Sequence, residues 1–531
     1  MSESQILADW IVLLVVIWWL RSIFQRDKHP PGPNGYPIIG NLFDLSAREW
    51  WKNTLKWRSE YGDVVFLRSF GQPMIVVNSY DAAIDLFEKR FGTYSDRPTS
   101  VMLNELQHWD WMLSGLPYGE QLRKLRTPVL KFFEPSNIQQ YEDIQMDEIQ
   151  KLLRSLLRDP ECFRQHFKTS MASSIMRISY GHEIGSFEDP FISLANRASE
   201  HIDTALQQGT FIVDVVPWLK YLPKWFPGAG FQVIVERGAK LSRDMRYIPY
   251  FFARDKALCG SRSRSFLSEQ LDERTKFGGK LTEDDDASMS AMTAICYIAG
   301  TSTSVTALMF FILAMTLHQE AQKRAQDEID RVVGDSRLPE LSDRSQLPYC
   351  FSLLKEVHRC YPVLPLGVAH ASKKADTYND YFIPAKSVVI PNIWAMLMDP
   401  QEYPNPDVFR PERFLPGANE HIPRDPTKVA FGFGRRVCPG KPLAENNLFL
   451  AATQILAVFN ISKVKKADGT VIEPDVKINS DGIVRQVDSF RCAIEPRSTG
   501  AAELETTGFR IERDFPVEEG HSNMKKNVFS I

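Results

Sequence analysis

The sequence has few cysteines, and their spacing excludes two common classes of site. Seven cysteines are scattered over 531 residues, and none of them forms a Cys-x-x-Cys pair. An odd, unpaired set predicts neither a disulfide framework nor a zinc site. This usage fits a protein that faces a reducing compartment such as the cytosol.

An excess of either charge is also missing. The 63 lysines and arginines nearly balance the 66 acidic residues, which gives a formal net charge of −3. No basic stripe with interleaved aromatic residues is present, so nucleic acid is not an expected partner. Gly/Ser-rich linkers and internal repeats are absent from the sequence as well. This absence favours one large catalytic unit over residues 29–498.

One long apolar run stands at the amino terminus. Residues 6–24 are apolar apart from two charged positions near the ends of the run, and a bilayer takes about 20 such residues. A cleaved signal peptide is the alternative, but it would begin with basic residues, whereas Glu3 and Asp9 are acidic. Basic residues follow the run, namely Arg21, Arg26 and Lys28. We therefore predict a membrane anchor over residues 1–28, with the rest of the chain in the cytosol.

The body of the chain is predicted to be helical with a small sheet. Apolar residues at three-four spacing predict helices over residues 142–157, 287–317, 319–333 and 347–360. Short apolar segments bounded by turn residues predict strands over residues 64–68 and 74–77. We expect a mainly α fold with a minor β region, preceded by one transmembrane helix. The polar residues 499–531 predict a poorly ordered tail.

The strongest local signal is the segment FGFGRRVCPG at 431–440. It matches the pattern FxxGxRxCxG at all five fixed positions. A helix that begins after Pro439 would direct its N–H groups and its dipole at the sulfur of Cys438, which stabilises a thiolate. The segment resembles the haem-binding loop of the cytochrome P450 superfamily, and the resemblance makes Cys438 the axial ligand of haem b.

The same resemblance gives roles to the other fixed positions of the loop. Phe431 would shield the sulfur, and Arg436 would pair with a haem propionate. Gly434 and Gly440 would permit tight turns and a close approach of the backbone to the porphyrin. An inert buried cysteine is the alternative for Cys438.

Two charged motifs precede the loop in the order that the superfamily requires. KEVHR at 355–359 places Glu356 and Arg359 one helical turn apart, and FRPERF at 409–414 contains Arg413. A Glu-x-x-Arg pair alone would indicate a solvated surface pair. By resemblance, the three side chains form a buried charge network that fixes the fold around the cysteine loop.

AGTSTS at 299–304 resembles the oxygen-binding motif AGxDTT. Ala299 and Gly300 are small enough for the helix to approach the haem, and Thr303 lies on the side of Ala299. Thr303 would then donate a hydrogen bond to dioxygen, although it could instead bond back to its own helix. Ser302 stands where the family usually has an acid. A serine cannot supply protons at neutral pH, so the proton relay must run through solvent or another side chain.

Two further positions resemble family contacts to the haem propionates. In YGEQLRKLR, Leu122 replaces a tryptophan that the family often has, whereas Arg126 keeps its place and would pair with one propionate. His370 ends the segment PVLPLGVAH, which resembles a strand that lines the pocket. It is a candidate propionate partner, with an ordinary surface histidine as the alternative.

The resemblance also implies a function and partners. It implies a monooxygenase that uses O2 and takes electrons from NADPH through a separate cytochrome P450 reductase, in the endoplasmic reticulum membrane. The sequences of residues 214–231 and 431–449 resemble those of fungal enzymes of secondary metabolism. Apolar pocket segments at 101–111, 295–299, 363–368 and 482–484 suit a lipophilic substrate such as a terpenoid or an aromatic or indole compound.

The loop at 215–231, with Trp218, Tyr221 and Trp225, would dip into the membrane; ordinary packing of a long loop is the alternative.

Two other functions stay open for the whole chain. One is an isomerase or dehydratase that keeps the haem but needs no O2, which Ser302 favours and Thr303 opposes. The other is a non-enzymatic haem sensor, in which Cys438 and Pro439 form only a regulatory dipeptide.

Overall fold

The computed structural model describes residue 10 and residues 29–498, except 48, 206–210, 261–262, 418–421 and 481. The predicted anchor, apart from Trp10, and the predicted tail at 499–531 lie outside the described residues. Within the described residues the chain is mainly helical with a minor sheet region, as the sequence predicts.

The α-helices span Leu42–Ser46, Thr54–Tyr61, Tyr80–Ala83, Phe91–Tyr94, Glu120–Phe132, Pro135–Ile138, Glu142–Arg158, Phe163–Tyr180, Pro190–Ala205, Ile212–Val215, Phe231–Leu258, Phe266–Thr275, Glu283–Leu317, Gln319–Val332, Pro348–Cys360, Ile393–Leu397, Thr427–Ala430 and Lys441–Val458. Short 3-10 helices cover Trp50–Asn53, Gln139–Tyr141, Pro160–Cys162, Pro217–Tyr221, Lys276–Gly278, Leu341–Gln346, Pro411–Phe414 and Gly434–Arg436. Two π-helical turns cover Ile84–Lys89 and Val101–Leu106.

The strands are β1 Val64–Ser69, β2 Gln72–Val77, β3 His370–Ala371, β4 Asp376–Tyr378, β5 Tyr381–Ile383, β6 Val388–Pro391, β7 Phe459–Ser462, β8 Ile478–Asn479, β9 Gln486–Val487 and β10 Ala493–Pro496. The largest sheet has the order β1-β2-β6-β3, and β2 and β6 are parallel. The other strands pair as β4-β5, β7-β10 and β8-β9. Both predicted strands are confirmed, and each is longer by one or two residues.

The helix Glu283–Leu317, called the long helix below, forms the centre of the molecule. It begins four residues before the predicted start because Thr282 and Asp285 form a capping box and the first turn holds four acidic residues. Most of its remaining residues are buried, and it packs between the helices Phe163–Tyr180, Phe231–Leu258 and Lys441–Val458.

The long helix is the one described element that is apolar and long enough to cross a bilayer. Two thirds of its most apolar window, 67%, is buried inside the protein. That burial is typical of the core helix of a globular domain.

Candidate haem-binding site

The cysteine loop is held in shape by its own backbone. The N–H of Cys438 donates to the carbonyl of Phe431 at 2.9 Å, which closes the loop over residues 431–438. The following helix begins at Lys441 and carries a proline, Pro442, in its first turn. The predicted start after Pro439 is therefore one residue early.

Opposing effects act on the thiol of Cys438, and its pKa is raised overall. Burial raises the pKa of its thiol, whereas N–H groups of Gly440 and Lys441 and the charge of Arg126 lower it. The N–H groups are those of a helix start, where the dipole also favours negative charge. The Cys438 side chain is nevertheless accessible. A metal ion could therefore reach the sulfur and stabilise the thiolate further.

The two fixed glycines of the loop differ in what a larger side chain would contact. Gly434 has φ +53°, and a Cβ there would lie 2.3 Å from the carbonyl oxygen of Phe87. Gly440 has φ −81°, and its Cβ would make an ordinary 3.9 Å contact with the Cys438 sulfur. The close backbone approach seen at Gly434 is to the segment that contains Phe87, and the approach to the porphyrin stays a prediction. Gly432, at φ +80°, supplies a turn that the motif pattern does not specify.

Phe431 lies beside the cysteine and packs on the Glu-x-x-Arg helix. Its ring is 5.7 Å from the ring of His358, in an edge-on arrangement, and the Lys441 ammonium lies 5.5 Å from its centroid. Burial lowers the pKa of His358 to about 4, so this ring is neutral at physiological pH. The contact joins the two motifs directly.

Two buried arginines and one half-buried arginine, Arg126, converge next to the loop. Arg436 donates to the carbonyls of Ser95 at 2.8 Å and Leu116 at 2.6 Å. Arg126 donates to the carbonyl of Val437. The third is Arg97, which donates to the carbonyls of Ser114, Val368 and Ala369.

These arginines repel one another in a poorly solvated region. Burial, and then the charge of Arg126, lowers the pKa of Arg436 to about 10. Burial and the charges of Arg436 and Arg126 lower the pKa of Arg97 as well, and Asp96 offsets only part of this. The guanidinium groups therefore form a site that an anion would stabilise. Sequence reasoning missed Arg97 because Asp-Arg-Pro is too short a pattern to carry weight alone.

His370 lies against the same cluster and is fully buried, so it is not a surface histidine. Its Nδ1 lies 2.7 Å from the carbonyl of Tyr94, and its ring is 4.4 Å from that of Phe87. A carbonyl only accepts, so Nδ1 carries the proton. Burial and the charges of Arg97 and Arg436 lower the pKa of His370, so the ring is neutral and cannot pair as a cation. Leu122, at the position of the missing tryptophan, is buried in the core.

The long helix becomes accessible over one turn. Ala299 is exposed and Ser302 and Thr303 are partly exposed, whereas residues 288–298 are buried. Thr303 Oγ1 donates to the Ala299 carbonyl at 2.7 Å, the back-bond that was the alternative for this residue. A Cβ on Gly300 would lie 3.0 Å from Ile175, so this glycine permits helix packing on the opposite side.

The accessible turn and the cysteine loop belong to the same region. Cys296 lies one turn before Ala299, and burial raises the pKa of its thiol to about 12, with a further contribution from the charge of Cys438. An electrostatic interaction of this kind requires that the two sulfurs lie near each other. Leu443, in the helix that follows Cys438, belongs to the same apolar cluster as Ile295 and Ile298, so the cysteine loop and this part of the long helix lie in one region.

The predicted charge network is present and completely buried. Arg359 binds the Glu356 carboxylate through two bonds of 2.8 and 2.9 Å, and Arg413 Nε reaches it at 3.1 Å. Arg359 also donates to the Leu397 carbonyl, and Arg413 to the carbonyls of Pro404 and Val408. One carboxylate thus joins the helix Pro348–Cys360 to the segment before the cysteine loop.

The residues present fit a haem. The accessible thiol offers an axial ligand, the arginine cluster offers partners for two propionates, and the small Ala299 leaves room on the opposite side. Cys438 would hold the iron, while Arg97, Arg126 and Arg436 would hold the carboxylates. When bound, a haem with a thiolate ligand supplies the electron-rich iron that activates oxygen.

Comparisons with known proteins agree with this geometry. A family model described as Cytochrome P450 matches residues 30–485. Cytochrome P450 monooxygenase 208 of Postia placenta is 37% identical over 497 residues, which cover 93% of this chain and 95% of the relative. A cytochrome P450 monooxygenase of Armillaria gallica is 39% identical, with 95% and 99% covered. Cytochrome P450 monooxygenase ppsD of Aspergillus oryzae is 39% identical, with 95% of both chains covered. The chain belongs to the cytochrome P450 family and is a haem-thiolate monooxygenase.

Proposed function

We propose that this monooxygenase inserts one oxygen atom of O2 into an unactivated C–H bond of a lipophilic small molecule in fungal secondary metabolism. The net reaction is RH + O2 + NADPH + H+ giving ROH + NADP+ + H2O, with electrons delivered by a separate NADPH-cytochrome P450 reductase. The observation that carries the proposal is the accessible Cys438 thiol at a helix start, next to a cluster of three arginines that could hold carboxylates. Relatives named as monooxygenases in three fungi support the reaction class.

The chemistry of each side chain indicates its role in the reaction. Cys438 is the ligand, and the arginines fix the orientation of the cofactor through its carboxylates. Thr303 carries a partly exposed hydroxyl on the accessible turn of the long helix, and it can exchange its bond to Ala299 for one to dioxygen. Ser302 cannot deliver a proton by itself, so solvent or another side chain must supply it.

The substrate class follows from the walls of the region. Leu103, Ile295 and Ile298 belong to one apolar cluster beside the accessible turn. Ile483 and Val484, in the hairpin between β8 and β9, are partly exposed. Apolar walls with few polar anchors suit a terpenoid or an aromatic or indole compound.

A membrane location would bring such a substrate to the enzyme. Trp218, Tyr221 and Trp225 are 63%, 78% and 80% exposed, which ordinary packing of the loop would not give. A second exposed apolar group, Tyr36, Ile38, Phe43 and Phe70, follows the predicted anchor. We propose that both groups contact the endoplasmic reticulum membrane, with the catalytic domain on its cytosolic side.

The first test is the reduced, carbon-monoxide-bound difference spectrum of membranes that contain wild type or Cys438→Ser. We expect the strongly red-shifted Soret band of a haem-thiolate protein in wild type alone. Its presence in Cys438→Ser, or its absence from folded wild type, would contradict the assignment of Cys438.

The second candidate function is an O2-independent isomerase or dehydratase, which the Ser302 replacement favours. Turnover that continues without NADPH and O2 would establish that function. Turnover that requires both, with one oxygen atom from labelled O2 in the product, would establish the monooxygenase.

A further inference from the structure

One carboxylate beside a predicted wall segment of the pocket has no basic partner among the described residues. Asp203 lies at the end of the helix Pro190–Ala205 and is partly buried. Its Oδ2 accepts from Gln486 Nε2 at 3.1 Å, and the backbone N–H of Val484 is a second donor. The charged group that acts on it is Glu200, an acid on its own helix. Two neutral donors therefore hold a carboxylate that gains nothing from an ion pair.

The partners of Asp203 belong to one hairpin tip, residues 482–486. The tip follows β8 and leads into β9, and Gln486 pairs with Asn479 across the hairpin. Gly482 is packed directly on Asp203, since a Cβ there would lie 3.0 Å from the Asp203 Cβ. Ile483 and Val484 are partly exposed and form part of the predicted pocket wall. Asp203 thus binds the segment that carries two apolar wall residues.

The opposite side of the hairpin tip is also held. The Arg485 N–H donates to the Val363 carbonyl at 2.9 Å, in another predicted wall segment, and β9 packs on the long helix. Arg485 is buried and Val487 is buried beside it. These contacts fix the base of the tip, so Asp203 decides how its partly exposed residues sit against the helix Pro190–Ala205.

We propose that Asp203 is a positioning residue that closes the hairpin tip over the substrate pocket and thereby controls the exchange of bulky substrates. The proposal rests on the proposed function, because it assigns the wall of the same pocket. Asp203 acts through Val484 and Gln486 rather than through contact with the reacting atoms.

The contact is sensitive to pH, and the sign follows from burial. Burial raises the pKa of Asp203 to about 6 in the closed form, despite the two hydrogen bonds. A carboxyl that leaves the contact for water has an ordinary pKa near 4. The closed form therefore binds its proton more tightly, so closure strengthens as the pH falls through 6 and weakens above it. Gln486 and Val484 do not titrate, and Glu200 is exposed.

The test is the dissociation rate of two iron-binding probes from the holoenzyme at pH 5.5 and 7.5. Clotrimazole is bulky and must pass the hairpin tip, whereas imidazole is small enough to leave without displacing it. In wild type we expect clotrimazole to dissociate about threefold to fourfold faster at pH 7.5 than at pH 5.5, which is what a pKa of about 6 in the closed form and near 4 in the open form permits between these pH values. Imidazole should change less than about twofold.

The variants separate the carboxylate from the fold. Asp203→Asn keeps an uncharged acceptor and should give the slow rate at both pH values. Asp203→Ala should give a fast rate at both, and Gln486→Ala should lie between Asp203→Ala and wild type. The control Glu200→Gln should keep the wild-type dependence on pH.

Two results would overturn the proposal: a clotrimazole rate in wild type that does not change with pH, or a wild-type pH dependence in Asp203→Asn. Equal changes for both probes would show a merely structural role and would also overturn it. The reduced carbon-monoxide spectrum of each variant is measured in parallel. An intact Soret band keeps the haem-thiolate assignment separate from the fate of the Asp203 proposal.

Discussion

At the scale of single residues, Thr303 shows how one hydroxyl can have a structural and a chemical use. It donates to the Ala299 carbonyl on the accessible turn, whereas Thr301 makes the same kind of bond to Tyr297 on the buried side. We expect Thr303→Ala to keep its haem but to lose coupling of NADPH consumption to product by at least about tenfold, because dioxygen loses its hydrogen-bond partner.

The assay is the ratio of product and hydrogen peroxide to NADPH consumed. Thr301→Ala removes an equivalent intrahelical bond away from the site and should leave this ratio unchanged. If NADPH consumption remains fully coupled to product formation in Thr303→Ala, the Thr303 hydroxyl only bonds back to its own helix.

Glu356 is a single carboxylate that neutralises two buried guanidinium groups. Glu356→Gln would leave Arg359 and Arg413 without a counter-charge in the core, at a cost of about 3 to 5 kcal/mol. We expect little haem-loaded protein, measured as the Soret absorbance per amount of chain. Glu412→Gln breaks an exposed pair with Arg324 and should cost no more than about 1 kcal/mol. Equal haem loading in the two variants would contradict the importance of the network.

At the scale of elements, the cysteine loop depends on a turn that only glycine can make. Gly434→Ala places a methyl group 2.3 Å from the Phe87 carbonyl oxygen at a left-handed φ, so the loop must shift. We expect a loss of about 1 to 3 kcal/mol in the free energy of unfolding, with reduced haem content. Gly440→Ala meets only a 3.9 Å contact and should fold and load haem as wild type does. Thermal unfolding followed by Soret absorbance distinguishes the two variants.

A second element, the turn Val101–Leu106, is held from outside its own segment. The Asp214 carboxylate accepts from Ser100 Oγ and the Met102 N–H, both at 3.0 Å, and so caps the turn from the neighbouring loop. We expect Asp214→Ala to speed amide hydrogen exchange over residues 101–106 by about tenfold, since a lost cap costs about 1 kcal/mol or more. Glu105→Gln removes only the exposed pair with Lys220 and should change the exchange little. Unchanged exchange in Asp214→Ala would show that the cap does not hold the turn.

The sequence predicts those elements whose signal is local. Periodicity places the helix Glu142–Arg158 to within one residue, and the motif spacing marks Glu356, Arg359 and Arg413 as a set. Features that depend on contacts between distant segments cannot be predicted in this way. The packing of Gly300 on Ile175, the arginine partner Arg97 and the contact of Asp203 with Gln486 each join segments far apart in the chain. No periodicity in one segment can report which residue faces it from another.

At the scale of the whole molecule, the described catalytic body presents its apolar side chains unevenly. Trp218, Tyr221 and Trp225 are exposed within eight positions, and two lysines, Lys220 and Lys224, lie between them. Such a loop favours the boundary between lipid headgroups and acyl chains, because the rings leave water while the ammonium groups stay in it. The body would then bind membranes without the predicted anchor.

This can be measured on a chain that lacks residues 1–28. We expect it to sediment with neutral phosphatidylcholine vesicles, and the triple change Trp218→Ser, Tyr221→Ser and Trp225→Ser to weaken this partition by at least about tenfold, or about 1.4 kcal/mol. The matched control changes three apolar residues that are exposed elsewhere, Leu258, Val408 and Val471, to serine. It should partition as the parent does, because isolated exposed apolar residues create no insertion surface. Failure of the parent that lacks residues 1–28 to sediment would mean that membrane binding comes from residues 1–28 alone, whereas equal sedimentation of the triple variant and the parent would place the membrane contact elsewhere in the catalytic body.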